Sequence, residues 1–139
     1  MAEIVREMTV DDLEGAVRLW QNTPGMGLSS ADAPEKLESF LRRNPGLSFV
    51  ALDEARLVGT AMCGQDGRRG FIYHVAVDGA CRRRGIGRKL VESCTAGLKA
   101  EGIEKCHIMV LAGNQEGLVF WQKMGWSQRR DILLLSRGV

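Results

Sequence analysis

The chain is short of the features that mark several functional classes. Its 139 residues include three prolines, one tyrosine and two histidines, and the four cysteines (Cys63, Cys81, Cys94, Cys106) form no Cys-x-x-Cys pair. So few histidines and such scattered thiols argue against a zinc site or a disulfide framework, and they fit reduced thiols in a cytoplasm. No segment approaches the roughly 18 consecutive apolar residues of a membrane span. The opening "MAEIVREMTVDDLEG" carries charge from Glu3 onward and lacks the apolar core of a secretory signal. Excess charge is missing too. Nineteen basic against seventeen acidic residues leave a net charge of +2, too little for a protein that coats nucleic acid.

What is present is ordinary for a soluble globular protein: 45% hydrophobic and 26% charged residues, in a length that suits one domain over 1–139. Residues 4–8 read as a strand, and "TVDD" reads as a capping box ahead of Leu13, Ala16, Val17 and Trp20 at helical spacing. The stretch "QNTPGMGLSSADAPE" is the longest irregular connection. A second helix starting at Pro34 behind a Ser or Asp cap should bury Leu37, Phe40 and Leu41. Three strands follow in "LSFVAL", "LVGTAMCG" and "FIYHVAVD". Next comes a helix to about Glu101 with Ile86, Leu90, Cys94 and Leu98 on one face, ended by Gly102. "KCHIMVL" reads as a strand, "NQEGLVFWQKM" as a helix closed by Gly125, and "DILLLS" as a final strand. The expected architecture is α/β: a mixed sheet with helices on both faces.

One stretch concentrates the chemistry. "AVDGACRRRGIGRKLVE" places Arg82, Arg83 and Arg84 against Gly85-Ile86-Gly87, then Arg88 and Lys89, between a strand and a helix. The first turn of a helix has amide N–H groups without partners and a partial positive charge, so it favours an anion. Glycines at 85 and 87 let the backbone approach an oxygen closely, and a pyrophosphate suits such a loop. The P-loop pattern G-x-x-x-x-G-K-[ST] is absent, and G-x-G-x-x-G fails because Leu90 stands at its third glycine.

Arg82-x-x-Gly85-x-Gly87 does match the R/Q-x-x-G-x-G/A signature of the GNAT superfamily of N-acetyltransferases. "VAVD" upstream, the Asn114 to Trp126 segment downstream and the order of elements along the whole chain also resemble that fold. The resemblance implies a central splayed sheet, with acetyl-CoA as cosubstrate and no metal. The coenzyme pyrophosphate would lie on the backbone of Arg83 to Arg88. The pantetheine arm would run along Val75, Ala76 and Val77 in place of a strand neighbour. Asn114 would hold the pantetheine or acetyl end, or simply cap its helix. Some of the five basic residues would be solvated instead, with Arg82 or Arg84 pairing with Asp78 or facing water.

Acetyl transfer to an amine needs a neutral amine, a stabilised oxyanion and a proton for the departing thiolate. Proximity of the two substrates can supply much of the rate. Family members often carry a Tyr as the acid where this chain has Trp121. An indole N–H donates a hydrogen bond but gives up no proton at neutral pH. Trp121 would then pack beside the coenzyme thioether or serve as core. Regular alternation puts Phe71, Tyr73, Val75 and Val77 on one face and Ile72, His74 and Ala76 on the other. The resemblance implies a base at even spacing from the final valine of this strand, which favours Tyr73 as the catalytic group. A bulge would reverse that choice in favour of His74. His107 on the next strand is a weaker candidate.

Four functions compete: an N-acetyltransferase working by direct transfer in a ternary complex, an acyl-CoA-binding module that has lost catalysis, a basic nucleic-acid-binding domain, and an unrelated phosphate-ligand enzyme. No aromatic residues interleave with the basic ones, which weighs against nucleic acid. The expected partners are therefore acetyl-CoA and an amine acceptor, without nucleic acid or membrane, for a cytoplasmic monomer or homodimer. The resemblance puts Trp20, Met26, Leu28, Ser29, Ser30 and Asp32 on the acceptor side. Their mixed chemistry leaves a peptide α-amine, a lysine side chain and a small metabolite amine all open.

Overall fold

The structure, a computed structural model, describes residues 3–139. It divides into two units, one ending at Met109 and one running Val110–Val139. In chain order the first holds β1 (Ile4–Glu7), α1 (Leu13–Gln21), α2 (Pro34–Arg43), β2 (Phe49–Asp53), β3 (Arg56–Gln65), β4 (Gly70–Val77), α3 (Ile86–Ala100) and β5 (Cys106–Ile108). The strands lie in the order β1-β2-β3-β4-β5. Neighbours are antiparallel except for β4 and β5, which run parallel. This is the expected α/β arrangement with a mixed sheet.

The two faces of β3 sort the helices. A Cβ on Gly59 would meet Leu90 at 3.0 Å and Ile86 at 3.1 Å, both on α3, whereas a Cβ on Gly64 would meet Phe40 of α2 at 2.8 Å. Side chains alternate along a strand, so Gly59, Ala61 and Cys63 face α3 while Thr60, Met62 and Gly64 face α1 and α2. On the α1/α2 face Trp20, Leu37, Val50, Met62 and Ala76 form a buried cluster. On the other, Ile86, Leu90, Cys94 and Leu98 are all buried, as their spacing predicts. Each large aliphatic chain so buried contributes about 1.5–3 kcal/mol.

Local chemistry explains where elements start. Thr9 leads into a 3₁₀ turn, Val10–Asp12, and its backbone N–H donates to the Asp12 carboxylate at 2.8 Å. That same carboxylate takes two hydrogen bonds from the Arg6 guanidinium, both at 2.8 Å. The Ser or Asp cap expected for α2 is not there: Ala33 holds the N-cap position. Pro34 fills the first helical position with a preset φ and no N–H in need of a cap. Ser29 and Asp32 instead cap a separate 3₁₀ turn, Ser30–Asp32, so the long connection is partly ordered.

Two expected strands are cut short. Of residues 105–111 only Cys106–Ile108 pair, because β4 and β5 share just three rungs, Gly70–Cys106, Phe71–His107 and Ile72–Ile108. The second unit holds α4 (Gln115–Lys123), closed as predicted near Gly125 at φ +93°. "DILLLS" forms no strand, and Leu133 is 89% exposed. A strand exists only with a ladder partner for its backbone groups, and residues 131–136 find none among the described residues.

Candidate active site

The site is built around an interruption in β4. Thr60 pairs with Ala76 and Met62 with Tyr73, so one residue of β3 stands opposite two of β4. The extra residue is a β-bulge at His74, whose φ of +51° is rare outside glycine. The bulge re-phases the strand. Tyr73 shares the α1/α2 face with its partner Met62, and Ala76 shares it with Thr60. His74 stands on that face too, its ring 4.4 Å from the ring of Trp20 in α1. The alternation expected from the sequence therefore fails after Tyr73: Val75 and Val77 lie on the α3 face and not with Tyr73.

Beyond Ile72 the ladder to β5 ends, leaving residues 73–77 paired with β3 on one side only among the described residues. After Val77 the Asp78 carboxylate caps a 3₁₀ turn, Gly79–Cys81, by accepting from the Ala80 N–H at 2.9 Å. Arg83 and Gly85 then adopt left-handed conformations, φ +66° and +76°, and Gly85 is the N-cap of α3. A Cβ on Gly85 would meet nothing within 4 Å, so the left-handed backbone, and not crowding, is what favours glycine there. Ile86 and Gly87 sit buried in the first helical turn, whose N–H groups open toward this space.

The arginines are not equivalent. Arg84 reaches the carboxylates of Glu3 at 3.4 Å and Asp53 at 3.6 Å, not that of Asp78. Asp78 is held by Arg56 at 3.1 Å and, with the Ala80 N–H, stays below the usual carboxylate range. The side chains of Arg82, Arg83 and Arg88 are exposed around the loop.

Tyr73 is 37% exposed and packs edge-on to Phe40 and stacked on Phe71, with ring centroids 6.0 and 6.5 Å away. Burial holds its phenol above the ordinary value, so it stays protonated through neutral pH. His74 is more enclosed. Its Nε2 lies 2.6 Å from the Asp32 carboxylate and its Nδ1 3.0 Å from the Met26 sulfur. Its carbonyl accepts from the Thr60 hydroxyl at 2.8 Å. Burial pushes Cys106 up to about 12, and a hydrogen bond with Cys63 pushes Cys94 up, so neither offers a thiolate at neutral pH. Among the described residues no group of His, Cys, Asp and Glu could hold a metal ion.

The family model for the Acetyltransferase (GNAT) family matches residues 13–126. The chain belongs to the GNAT acetyltransferase family. An acetyltransferase of Sodalis glossinidius is 31% identical over 134 residues, covering 96% of this chain and 93% of the relative. The PaiA N-acetyltransferase of Thermoplasma acidophilum, solved with coenzyme A, superposes with a TM-score of 0.76 at 20% identity, over 89% of each chain. An aminoglycoside acetyltransferase from an uncultured soil metagenomic sample, solved with sisomicin, gives 0.77 at 20% identity, over 99% of this chain and 96% of that one. Both structures share the GNAT fold.

Within this GNAT acetyltransferase, β4 and the start of α3 bring together Tyr73, His74, Val75, Ala76, Val77 and Arg82 to Arg88. Asn114 and Trp121 belong to the second unit. Asn114 caps α4, accepting from the Gly117 N–H at 3.0 Å. Trp121 is buried edge-on to Phe120 and Trp126. His107 stands beside Phe71, at 5.7 Å between ring centroids. Sequence reasoning missed the role of Asp32 as the partner of His74. The two are 42 residues apart, and only the bulge turns the histidine toward it. No helix among the described residues is long and apolar enough to cross a membrane.

Proposed function

We propose that this enzyme moves the acetyl group of acetyl-CoA directly to a primary amine in a ternary complex. The observation that carries the reading is β4 leaving its parallel neighbour at Ile72 and running, unpaired on that side, into the left-handed Gly85 and the start of α3. An extended pantetheine amide can pair with the free edge of residues 75–77, and a pyrophosphate can accept from the N–H groups of Arg83 to Arg88. Arg82, Arg83 and Arg88 add charge around that anion. Asn114 and Trp121 are proposed as further coenzyme contacts from the family resemblance alone.

In this reading a backbone N–H near Val75 to Val77 donates to the oxyanion formed when the amine attacks the thioester. The N–C bond forms, the C–S bond breaks, and the thiolate takes a proton. Tyr73, held protonated by burial, is the phenol suited to give it. With no thiolate nucleophile offered by Cys94 or Cys106, transfer without an acyl-enzyme fits the site. The acceptor is a primary amine of a peptide, a lysine or a small molecule. Free-thiol release from acetyl-CoA across a panel of such amines tests the proposal. Coenzyme binding without amine-dependent release from any of them would leave an acyl-CoA-binding module.

A further inference from the structure

The pair His74 and Asp32 has no part in the scheme so far, yet both side chains are enclosed and bonded to each other. Their side chains are only 15% and 13% exposed and meet at 2.6 Å. His74 is held at φ +51°, in the left-handed region that non-glycine residues rarely adopt. Such strain persists only where the surroundings over-determine it, and it clusters at functional sites. Here Trp20 flanks the ring, and the buried hydroxyl of Thr60 fixes the carbonyl. Asp32 is fixed in turn, its other oxygen accepting from the Ser29 N–H at 2.9 Å.

We propose that His74 is the base that deprotonates the acceptor ammonium, with Asp32 as its positioning residue and Met26 as a removable cover over the accepting nitrogen. This rests on the proposed acetyl transfer. Asp32 receives Nε2–H, which fixes the tautomer and leaves the lone pair on Nδ1. In this structure Nδ1 faces the Met26 sulfur at 3.0 Å. Met26 belongs to the long connection, just after Gly25 at φ +79°, and is unbranched and adaptable. When an acceptor displaces the thioether, its ammonium proton passes to Nδ1, giving a neutral amine and an imidazolium paired with the Asp32 carboxylate. The amine then attacks the thioester. As the intermediate collapses the C–S bond breaks, Tyr73 gives its proton to the departing thiolate and takes up the second proton of the nitrogen, and His74 returns its proton to solvent.

Among the groups around the ring, Asp32 from the connection is the charged one. Tyr73, its neighbour on β4, is the other titratable group, while Trp20, Met26 and Thr60 carry no charge.

The test compares parent, His74→Asn, Asp32→Asn and Asp32→Glu, with calorimetric acetyl-CoA affinity and far-UV circular dichroism as checks on folding. Asparagine is chosen at 74 because it tolerates the left-handed backbone. With a primary alkylamine from the panel that supports thiol release, His74→Asn should lower kcat at pH 7 about 100-fold, the low end of general base catalysis, and leave a rate that keeps rising with pH as the free amine does. Asp32→Asn should lower kcat with the alkylamine at least about tenfold, a deficit that should largely vanish with hydroxylamine, and Asp32→Glu should restore part of the rate. With hydroxylamine, already neutral at pH 7, the His74→Asn deficit should shrink to less than about tenfold. Equal deficits with both acceptors, or an unchanged pH profile in His74→Asn, would overturn the base. An Asp32→Asn deficit that is as large with hydroxylamine, or that Asp32→Glu does not restore, would overturn the positioning role. Parent protein that releases no thiol with any amine would overturn the transferase reading, and with it the base.

Discussion

Trp20 and Thr60 are joined by a buried hydrogen bond, the indole Nε1–H donating to the threonine hydroxyl at 2.8 Å. The hydroxyl passes the bond on, donating to the His74 carbonyl. Thr60→Val keeps the shape but leaves a buried N–H and a buried C=O unpaired. At about 1–3 kcal/mol for each orphaned group, chemical denaturation should show a loss of about 2–6 kcal/mol. Thr60→Ser should recover most of it. A loss under about 1 kcal/mol would mean that the bulge relaxes without its brace.

Gly87 lies buried in the first turn of α3, where the proposed pyrophosphate accepts from the backbone. Gly87→Glu adds bulk and like charge there, so calorimetry should show acetyl-CoA affinity falling at least about tenfold, or roughly 1.4 kcal/mol. Lys123→Ala, in the last turn of α4, should leave it unchanged. Unaltered affinity in a folded Gly87→Glu protein would remove the anion from this loop.

Tyr73→Phe deletes one hydroxyl and keeps the ring between Phe40 and Phe71. If the phenol protonates the thiolate, kcat should drop about 100-fold while acetyl-CoA affinity holds. Because burial raises the phenol above its reference of 10.0, the parent rate should decline only above that pH. This alkaline limb should disappear in Tyr73→Phe. Parental turnover across the pH range would make Tyr73 structural.

Asp12 is held below its reference of 3.8 chiefly by the Arg6 hydrogen bonds, against a desolvation cost. A depressed carboxylate contributes stability that is full above its unfolded value and lost as pH falls through its folded value. Melting temperatures measured between about pH 5 and pH 2 should therefore fall less steeply in Asp12→Asn than in the parent, with the difference between the two greatest at the top of that range. Parallel curves would show that other groups govern the acid transition.

The two-residue turn between β2 and β3 has Glu54 at φ +50° and Ala55 at φ +69°. Both positions suit Asn-Gly, the preferred pair for such a hairpin. Replacing Glu54-Ala55 with Asn-Gly should stabilise the protein by about 1–2 kcal/mol in denaturant melts. No gain would indicate that the strain is offset by contacts of the native pair.

The sequence disclosed what depends on near neighbours. The four-residue spacing of Ile86, Leu90, Cys94 and Leu98 defines the buried face of α3, and Thr9 with Asp12 marks the approach to α1. The Arg82 to Gly87 motif located the strand–loop–helix turn. What stayed hidden depends on partners far along the chain. The bulge at His74 is braced by the Thr60 hydroxyl, which donates to its carbonyl and accepts from Trp20, and nothing in "FIYHVAV" marks an added residue. Strict alternation therefore misplaced Val75 and Val77. "DILLLS" has the composition of a strand, but pairing is a property of two segments, and composition describes one.

The bulge also changes how closely chemistry can be packed on a strand. In regular β structure, side chains on one face are two residues apart, roughly 6.5–7 Å along the strand. Here Tyr73 and His74 are consecutive and still share a face, so a phenol and an imidazole occupy a length that ordinarily presents one functional group. A single inserted residue thus gives one short segment of backbone two titratable side chains on one face. Shortening β4 by that residue would separate them to opposite sides of the sheet.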